Sequence, residues 1–206
     1  MRQRGWRRLL KRSVDVGAAA VGLVATAPIM AGTATAVAVT MGLPVTFRQQ
    51  RVGEKERIFH ILKFRSMRDP VDPNHPEPDH QRITKLGAFL RSTSLDELPQ
   101  LLNVLKGDMS LVGPRPLLVR YLERYDSRQR TRHAVLPGIT GWAQVNGRNK
   151  ASWADKFEHD AWYVENWSLV LDAKILLKTA KTVVLREGVA ADQHVTMPEF
   201  MGNTAS

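Results

Sequence analysis

The sequence contains no cysteine, which excludes a disulfide scaffold, a thiolate metal site and a cysteine nucleophile. It also lacks the glycine-rich phosphate loops of P-loop and dinucleotide-binding proteins, and it lacks the HExxH pattern of zinc hydrolases. No serine lies in a nucleophile-elbow motif. Any phosphate chemistry in this protein must therefore use a different arrangement of residues.

A second absence is local, because residues 16–47 contain no Lys, Arg, Asp, Glu or His. A helix needs about 20 apolar residues to cross a bilayer core of about 30 Å, so this stretch is long enough to enter a membrane. The rest of the chain has the composition of a soluble protein. We therefore expect two parts: a basic flank with a membrane helix in residues 1–47, and a soluble domain in residues 48–206.

Three interpretations of the apolar segment compete. A cleaved signal peptide is disfavoured because its apolar region typically has about 7–15 residues. A spanning helix conflicts with the basic residues on both flanks, which give no charge asymmetry, although spanning helices tolerate a proline such as Pro28. A re-entrant hairpin broken near Pro28 would keep both flanks, with Asp15, at the anionic cytoplasmic surface. The residues alone support the spanning helix and the hairpin equally.

The chain carries an excess of positive charge, with 30 Lys and Arg against 20 Asp and Glu and a net charge of +10. Such an excess points to phosphorylated ligands, an anionic membrane surface, or nucleic acid. A nucleic-acid module would interleave basic and aromatic residues on one face. Here the arginines stand in separate turn motifs, so we expect no nucleic-acid partner. A non-catalytic pathway scaffold is the other rival to an enzyme.

An acidic pair, Asp96–Glu97, lies in the segment TSLDELPQLLNVLKGD. Pro99 favours a first helical turn there, so both carboxylates are expected at the positive end of a helix dipole, which favours an ionised Asp96. Ser94 and Glu97 also match a capping box, which gives the pair a purely structural interpretation.

Basic residues near turns favour a functional interpretation of the pair. Arginines next to glycine or proline turns often bind phosphate with two donors. The basic residues in question are Lys63, Arg65, Arg91, Arg115 and Arg148. Asp172 differs from them, because it lies between apolar neighbours and is expected to have a partner inside the fold, such as a structural ion pair with Arg or Lys.

The local pattern predicts an α/β fold that is mostly helical with a small sheet. Strands are expected over residues 45–50 and 58–64. Helices are expected over residues 83–91 and 95–106, over 117–132 with a basic face, and over 152–167 and 169–186. Gly107 is expected to end the second of these helices.

Several long motifs resemble those of the bacterial sugar transferases, also called monotopic phosphoglycosyl transferases. The motifs are KRSVD, LPVTFRQQRVG, FHILKFRSM, LGAFLRSTSLDELPQLLNVLKGDMSLVGPRPLL and PGITGWAQVNGRN. The likeness runs from Lys11 to about Phe200. The small size and the ending REGVAADQHVT are most similar to the PglC-type enzymes.

The resemblance implies transfer of a phosphosugar from a UDP-sugar to undecaprenyl phosphate, with release of UMP and with Mg²⁺ as cofactor. It assigns catalysis to Asp96 and Glu97, with Asp96 as the nucleophile and metal ligand. The residues expected to bind substrate are Lys63, Arg91, Arg115, Arg148 and Asp172. We expect a covalent Asp96–phosphosugar intermediate, since carboxylates can act as nucleophiles. The PglC-like ending suggests an N-acetylated amino sugar.

The resemblance also implies a location. The N-terminal segment is expected to form a re-entrant helical hairpin broken at Pro28, where Ala27 replaces the family's usual Ser. Amphipathic interfacial helices are expected beside it. The protein is then monotopic in the bacterial inner membrane, with its catalytic domain at the cytoplasmic leaflet. A homo-oligomer is compatible with the sequence.

Overall fold

The computed structural model describes residues 3, 5–72, 78–146, 151–185 and 199–202. The first half of the chain contains α1 (Trp6–Met41), β1 (Thr46–Val52), β2 (Ile58–Phe64), α2 (Asp79–Arg82), α3 (Lys85–Ser92) and α4 (Gln100–Lys106). The second half contains β3 (Ser110–Val112), α5 (Ser127–Arg130), β4 (Gly138–Thr140), α6 (Trp142–Asn146), α7 (Trp153–Asn166) and α8 (Leu169–Leu185). Short 3₁₀ turns cover Glu54–Glu56, Leu95–Glu97, Val119–Arg124 and Thr131–Ala134. The fold is mostly helical with little sheet, as expected.

The long helix α1 is apolar and extended. It runs through 36 residues with Pro28 inside it, and by length and composition it could cross a membrane. A single continuous helix stands where the re-entrant hairpin was expected, so the hairpin is not confirmed. A proline interior to a helix removes one N–H donor. The flanking turns keep their helical geometry here.

One face of α1 lies against the rest of the protein. Its buried residues are Lys11, Asp15, Ala19, Thr33 and Val37. Their spacing places them along one side of the helix. The opposite side, which includes Val21, Val24 and Val39, is exposed. From Val14 to Met41, the exposed side of the helix therefore carries no charged side chain.

In the part of the chain that the structure describes, the strands form two separate pairs. β1 and β2 form an antiparallel ribbon in which Phe47 lies opposite Lys63 and Arg51 lies opposite Phe59. β3 and β4 form a short parallel pair. The two predicted strands correspond to β1 and β2. The ribbon is amphipathic, because one face buries Phe59 and Ile61 and the other exposes Ile58 and His60.

The described residues form three buried apolar clusters. The first joins α7 and α8 to β3 through Tyr163, Val164, Trp167, Leu171, Ile175, Val112 and Val135. The second brings Ala19 of α1 together with Phe59, Ile61, Val104 and Met109. The third is aromatic and contains Tyr121, Tyr125, Phe157 and Phe200. The second cluster makes α1 part of the folded core.

The prediction of a single helix over residues 117–132 is wrong, because the chain forms three short helical segments there. Tyr125 has extended backbone angles that end the first piece, Val119–Arg124. Asp126 then caps a new helix by accepting a hydrogen bond from the backbone N–H of Gln129. By contrast, α7 and α8 match their predicted ranges, and Gly107 ends α4 in a left-handed conformation, with φ of 95°.

Candidate active site

Four of the predicted site residues meet at one place. Lys63 extends from β2, Asp96 and Glu97 lie in the 3₁₀ turn before α4, and Arg115 lies in the turn after β3. The Nζ of Lys63 is 2.6 Å from Oε1 of Glu97 and 3.8 Å from Oδ2 of Asp96. The Nη2 of Arg115 is 2.7 Å from the same Glu97 oxygen. We call these four residues the acidic-pair site.

The capping-box interpretation of the acidic pair is wrong. Ser94 has a positive φ of 57° and its side chain makes no capping hydrogen bond. The helix α4 begins only after Pro99, which is its N-cap. A left-handed conformation in a residue other than glycine is strained, and such strain is concentrated at functional sites. The two carboxylates therefore serve contacts across the fold rather than the end of a helix.

Asp96 is a buried carboxylate with unused hydrogen-bonding capacity. Its residue is 5% exposed, and it accepts no hydrogen bond from the residues that the structure describes. Burial raises the pKa of Asp96 above its usual value, and the nearby Lys63 only partly offsets this. The pKa of Asp96 is therefore shifted in the direction opposite to the shift that a helix dipole would cause. A more basic carboxylate is also a stronger nucleophile.

Glu97 responds to its surroundings in the opposite way. Burial alone would raise the pKa of Glu97, but the positive charges of Arg115 and Lys63 outweigh it and lower the pKa well below the usual range. Glu97 is thus a fixed anion that holds two cations. Neighbouring carboxylates whose pKa values are pushed apart are typical of a division of catalytic roles.

The remaining predicted residues are placed differently. Arg91 is exposed in the last turn of α3, and its charge lowers the pKa of Asp96 less than burial raises it. Arg148 lies outside the described residues. Pro28 is exposed on α1. Asp172 makes no contact with the acidic pair within the described chain, and it belongs to a second buried cluster of charge.

This second cluster joins α1 to the rest of the protein, and we call it the docking network. Its members are Lys11, Asp15, Ser110, Tyr163, Trp167 and Asp172. The Nζ of Lys11 lies 2.7 Å from Oδ2 of Asp172 and 3.5 Å from Oδ2 of Asp15. The Tyr163 hydroxyl donates to Oδ1 of Asp172 at 2.8 Å.

The docking network confirms that Asp172 has an ionic partner inside the fold. It corrects the expected position of Asp15, which was placed at the membrane surface. Lys11 and Asp15 are only 5% and 3% exposed, because they pack against the soluble part of the chain. A charged pair four residues apart at the start of an apolar segment was the signal for this role.

Arg132 is a supporting residue that the sequence did not reveal. Its Nη2 donates to the backbone carbonyl of Arg115 at 2.7 Å and pairs with Oδ2 of Asp160 at 2.8 Å. Arg132 and Asp160 are both buried. They hold the turn that carries Arg115, so the guanidinium of Arg115 is aimed at Glu97.

The acidic-pair site is compatible with Mg²⁺. Among the described residues, no group of three His, Cys, Asp or Glu side chains could hold a metal ion. Mg²⁺ needs no such cage, since it often binds one or two carboxylates together with substrate phosphates and water. The oxygens of Asp96, which lack hydrogen-bond donors within the described chain, fit this mode of binding.

Comparisons with known proteins identify relatives along most of the chain. The family profile described as "Bacterial sugar transferase" matches residues 6–186. The "Uncharacterized sugar transferase EpsL" of Bacillus subtilis is 51% identical over 196 residues, which is 95% of this chain and 97% of that protein.

Two longer relatives have more specific names. The "UDP-glucose:undecaprenyl-phosphate glucose-1-phosphate transferase" of Escherichia coli is 44% identical over 85% of this chain and 40% of its own length. The "UDP-N-acetylgalactosamine-undecaprenyl-phosphate N-acetylgalactosaminephosphotransferase" of Aeromonas hydrophila is 40% identical over 85% of this chain and 44% of its own. This chain thus spans less than half the length of these two proteins.

Proposed function

This chain belongs to the bacterial sugar transferase family, and from that premise we propose that it transfers a sugar 1-phosphate from a UDP-sugar to undecaprenyl phosphate and releases UMP. The names of the E. coli and A. hydrophila relatives describe this type of reaction. The observation that carries the proposal is the acidic-pair site. It places a buried carboxylate of raised pKa beside cations suited to phosphate.

Asp96 is the nucleophile in this proposal. One of its carboxylate oxygens attacks the β-phosphorus of the UDP-sugar and forms an O–P bond. The bond from that phosphorus to the bridging oxygen breaks, and its electron pair leaves with UMP. An oxygen of undecaprenyl phosphate then attacks the phosphosugar on Asp96, forms the new diphosphate and restores the carboxylate. Each step replaces one O–P bond by another.

The other residues position and neutralise charge. Glu97 fixes Lys63 and Arg115 in place, so their remaining donors are oriented before substrate arrives. We assign Arg91 and Arg148 to binding the diphosphate of the UDP-sugar together with Lys63 and Arg115. Asp96 is the residue that would hold Mg²⁺, and the bound ion would neutralise phosphate charge and polarise the phosphorus. Removal of Mg²⁺ with EDTA is expected to abolish activity.

The placement of α1 supports a monotopic arrangement at the cytoplasmic leaflet of the inner membrane. Near its beginning, Lys11 binds Asp172 of α8. At its end, the carbonyl of Met41 accepts a hydrogen bond from Arg65 at 2.8 Å. A helix with both ends attached to one soluble domain does not put those ends on opposite sides of a bilayer. Its exposed apolar face then enters the leaflet from one side.

Local features of α1 and other helices fit this arrangement. The hydroxyl of Thr26, which directly precedes the Ala27–Pro28 pair, donates to the carbonyl of Gly22 at 2.7 Å, and this type of bond often bends helices. We propose that α1 bends re-entrantly at Pro28 when lipid surrounds it. Apolar side chains are also exposed on α3, α4 and α8, including Phe89, Leu102 and Leu177. These helices are suited to lie on the membrane surface.

We propose an N-acetylated amino sugar as the transferred sugar. The support is the likeness of the chain ending to PglC-type enzymes and the sugar named for the A. hydrophila relative. The E. coli relative is named for glucose instead. UMP release from a panel of UDP-sugars, with undecaprenyl phosphate and Mg²⁺, will show whether the enzyme prefers an N-acetylated amino sugar or glucose.

The covalent step is tested by leaving out the lipid. Purified protein with UDP-sugar alone should release UMP in an amount equal to the enzyme, and the peptide that contains Asp96 should gain the mass of one phosphosugar. Asp96→Asn should abolish both signals, whereas Asp69→Asn, an exposed control, should keep them. UMP release only in the presence of lipid would replace the covalent scheme with direct transfer.

Topology is tested with single cysteines, since the chain has none of its own. Cysteines at Gln3 and at the exposed Val71 should both be protected from an impermeant reagent in intact cells. Permeabilised cells serve as the control, because there both positions should react. Labelling of the first cysteine alone in intact cells would show a spanning helix.

A further inference from the structure

Arg51 is a cation close to the acidic-pair site that has no role in the scheme above. It lies near the end of β1, opposite Phe59 of β2. Side chains alternate between the two faces of a strand, and directly opposite residues share a face. Arg51 is therefore on the same face of the ribbon as Lys63, which lies opposite Phe47. On this face, Lys63 contacts Glu97 and Arg51 contacts the carbonyl of Pro116.

The guanidinium of Arg51 is poorly satisfied by the protein. Its Nη2 donates to the Gln49 side chain at 2.5 Å, and its Nη1 reaches the carbonyl of Pro116 only at 3.4 Å. Its Nε is buried without a hydrogen-bond partner. Within the described part of the chain, Arg51 forms no ion pair. A half-buried charge with only neutral partners is costly, and an anionic ligand would remove that cost.

The charge of a second guanidinium, that of Arg115, acts on Arg51. The bond from Arg51 goes to Pro116, the residue directly after Arg115, and Arg51 is also bridged to Leu118. Burial, followed by the charge of Arg115, lowers the pKa of Arg51 to about 10, so Arg51 is still a cation at neutral pH. Two like charges placed together favour an anion between them.

The order of the cations along the ribbon decides which phosphate fits. Lys63 lies next to Asp96, whereas Arg51 lies four residues further along the ribbon. Arg115 links the two positions, because it shares Glu97 with Lys63 and directly precedes Pro116, whose carbonyl Arg51 contacts. Four strand residues span about 13 Å. The phosphorus attacked by Asp96 must lie at the Lys63 end. A second phosphate of the same diphosphate then extends toward Arg115 and Arg51.

We propose that Arg51, with Arg115, binds the α-phosphate of the UDP-sugar, which is the phosphate that leaves as part of UMP. This inference rests on the proposed function. When the bridging O–P bond breaks, its electron pair moves onto an α-phosphate oxygen, and the negative charge of that group grows. A guanidinium with free donors stabilises this charge as it develops. Arg51 thus serves both donor binding and departure of UMP.

Binding of UMP to the full-length protein in detergent, measured by calorimetry, tests this proposal. Arg51→Gln should weaken UMP binding by about ten- to a hundredfold, because a charge-assisted hydrogen bond is lost. Uridine lacks the phosphate, so its binding should not change. Arg48→Gln is the matched control: it removes the same charge from an exposed position of the same strand, and it should bind UMP like the unaltered chain.

A second variant guards against a folding defect. Arg51→Lys keeps the charge but loses the planar fork, so it should show a smaller loss of UMP affinity, of about three- to tenfold. Thermal unfolding of each variant shows whether it is folded. UMP affinity that is unchanged in both folded variants would overturn the assignment.

Further outcomes separate this proposal from the general one. Undecaprenyl phosphate also carries a phosphate, so its binding should be measured with the same variants. Weaker lipid binding with unchanged UMP binding would assign Arg51 to the acceptor and overturn the proposal. If the unaltered chain binds no UMP at all, both the nucleotide donor and the role of Arg51 are wrong. If it binds UMP, and Arg51→Gln loses UMP affinity while Arg48→Gln does not, both are supported.

Discussion

The docking network and the acidic-pair site are both buried clusters of charge, but they differ in how completely their carboxylates are satisfied. In the docking network, both oxygens of Asp172 accept hydrogen bonds, from Tyr163 at Oδ1 and from Lys11 and Trp167 at Oδ2. Both oxygens of Asp15 also have donors. In the acidic-pair site, Asp96 has none among the described residues.

This difference separates a structural from a functional use of buried charge. A fully bonded cluster has no capacity left for a ligand, and it fixes the geometry of the elements that it joins. A buried carboxylate without donors costs free energy until a ligand or metal ion binds it. The docking network therefore holds α1 in place, whereas the acidic-pair site is prepared for substrate. Substitutions of Asp96 and of Asp172 should therefore have opposite effects on stability and activity.

The largest effect on activity is expected from Asp96→Asn. Transfer should fall on the order of 10³-fold or more, because the nucleophile is lost. Stability should not fall. Folding raises the pKa of Asp96, so the ionised form destabilises the fold at neutral pH, and this cost disappears at low pH. At pH 7 the unfolding midpoint of Asp96→Asn should be equal to or higher than that of the unaltered chain. A clear decrease would contradict the contrast between Asp96 and the docking network.

Asp172→Asn should show the reverse pattern. Among the described residues, it leaves the buried Lys11 with Asp15 as its one remaining ion-pair partner, and breaking a buried ion pair costs about 3 kcal/mol or more. The unfolding midpoint in detergent should fall by roughly 6–12 °C. Activity per folded molecule should stay near normal. An intact midpoint with lost activity would instead support the substrate-binding role that the family resemblance gives to Asp172.

Glu97→Gln should lose activity less than Asp96→Asn does and stability less than Asp172→Asn does. Lys63 and Arg115 lose their shared anion, so stability should fall by about 1–3 kcal/mol and activity by about ten- to a hundredfold. Pairing lowers the pKa of Glu97 below its ordinary value of 4.5. The stabilisation is therefore fully present above that pH and is lost as the pH falls through the folded pKa.

The pH dependence of this variant gives a direct check. The difference in stability between the unaltered chain and Glu97→Gln should be constant from about pH 8 to pH 5 and should narrow below that range. Thermal unfolding at several pH values measures it. A difference that widens with acid would mean that Glu97 is not the ionised partner of Arg115.

The smallest effect is expected at a surface cluster. Arg128 pairs with Glu158 and Glu165, but all three side chains are well exposed. Exposed ion pairs contribute little to stability because water and salt screen them. Arg128→Ala should leave both the unfolding midpoint and UMP release unchanged within error. A large decrease in either quantity would show that the number of ion pairs a residue makes, rather than its burial, decides how much its loss affects the protein.

Local patterns predicted much of the fold. The alternation in β2, the spacing of leucines in α4 and the positive-φ glycine after it are properties of neighbouring residues. The helix expected over residues 117–132 failed because apolar spacing continued through a point where Tyr125 is extended and Asp126 starts a new helix. The predicted capping box is wrong for a related reason. Ser94 and Glu97 have the required spacing, but Ser94 does not have the backbone conformation of an N-cap residue.

The sequence by itself determined that an apolar segment precedes a soluble domain, and that an acidic pair stands among basic turns. Composition and short motifs carry this information, because apolar length and residue type do not depend on the rest of the fold. The tertiary structure alone decided the partners. Lys11 meets Asp172 across 161 positions of the chain, and Arg51 reaches the turn of Arg115 across the ribbon. Desolvation and hydrogen-bond satisfaction depend on such distant contacts, and they decide which buried charge holds the fold and which one is left to bind a ligand.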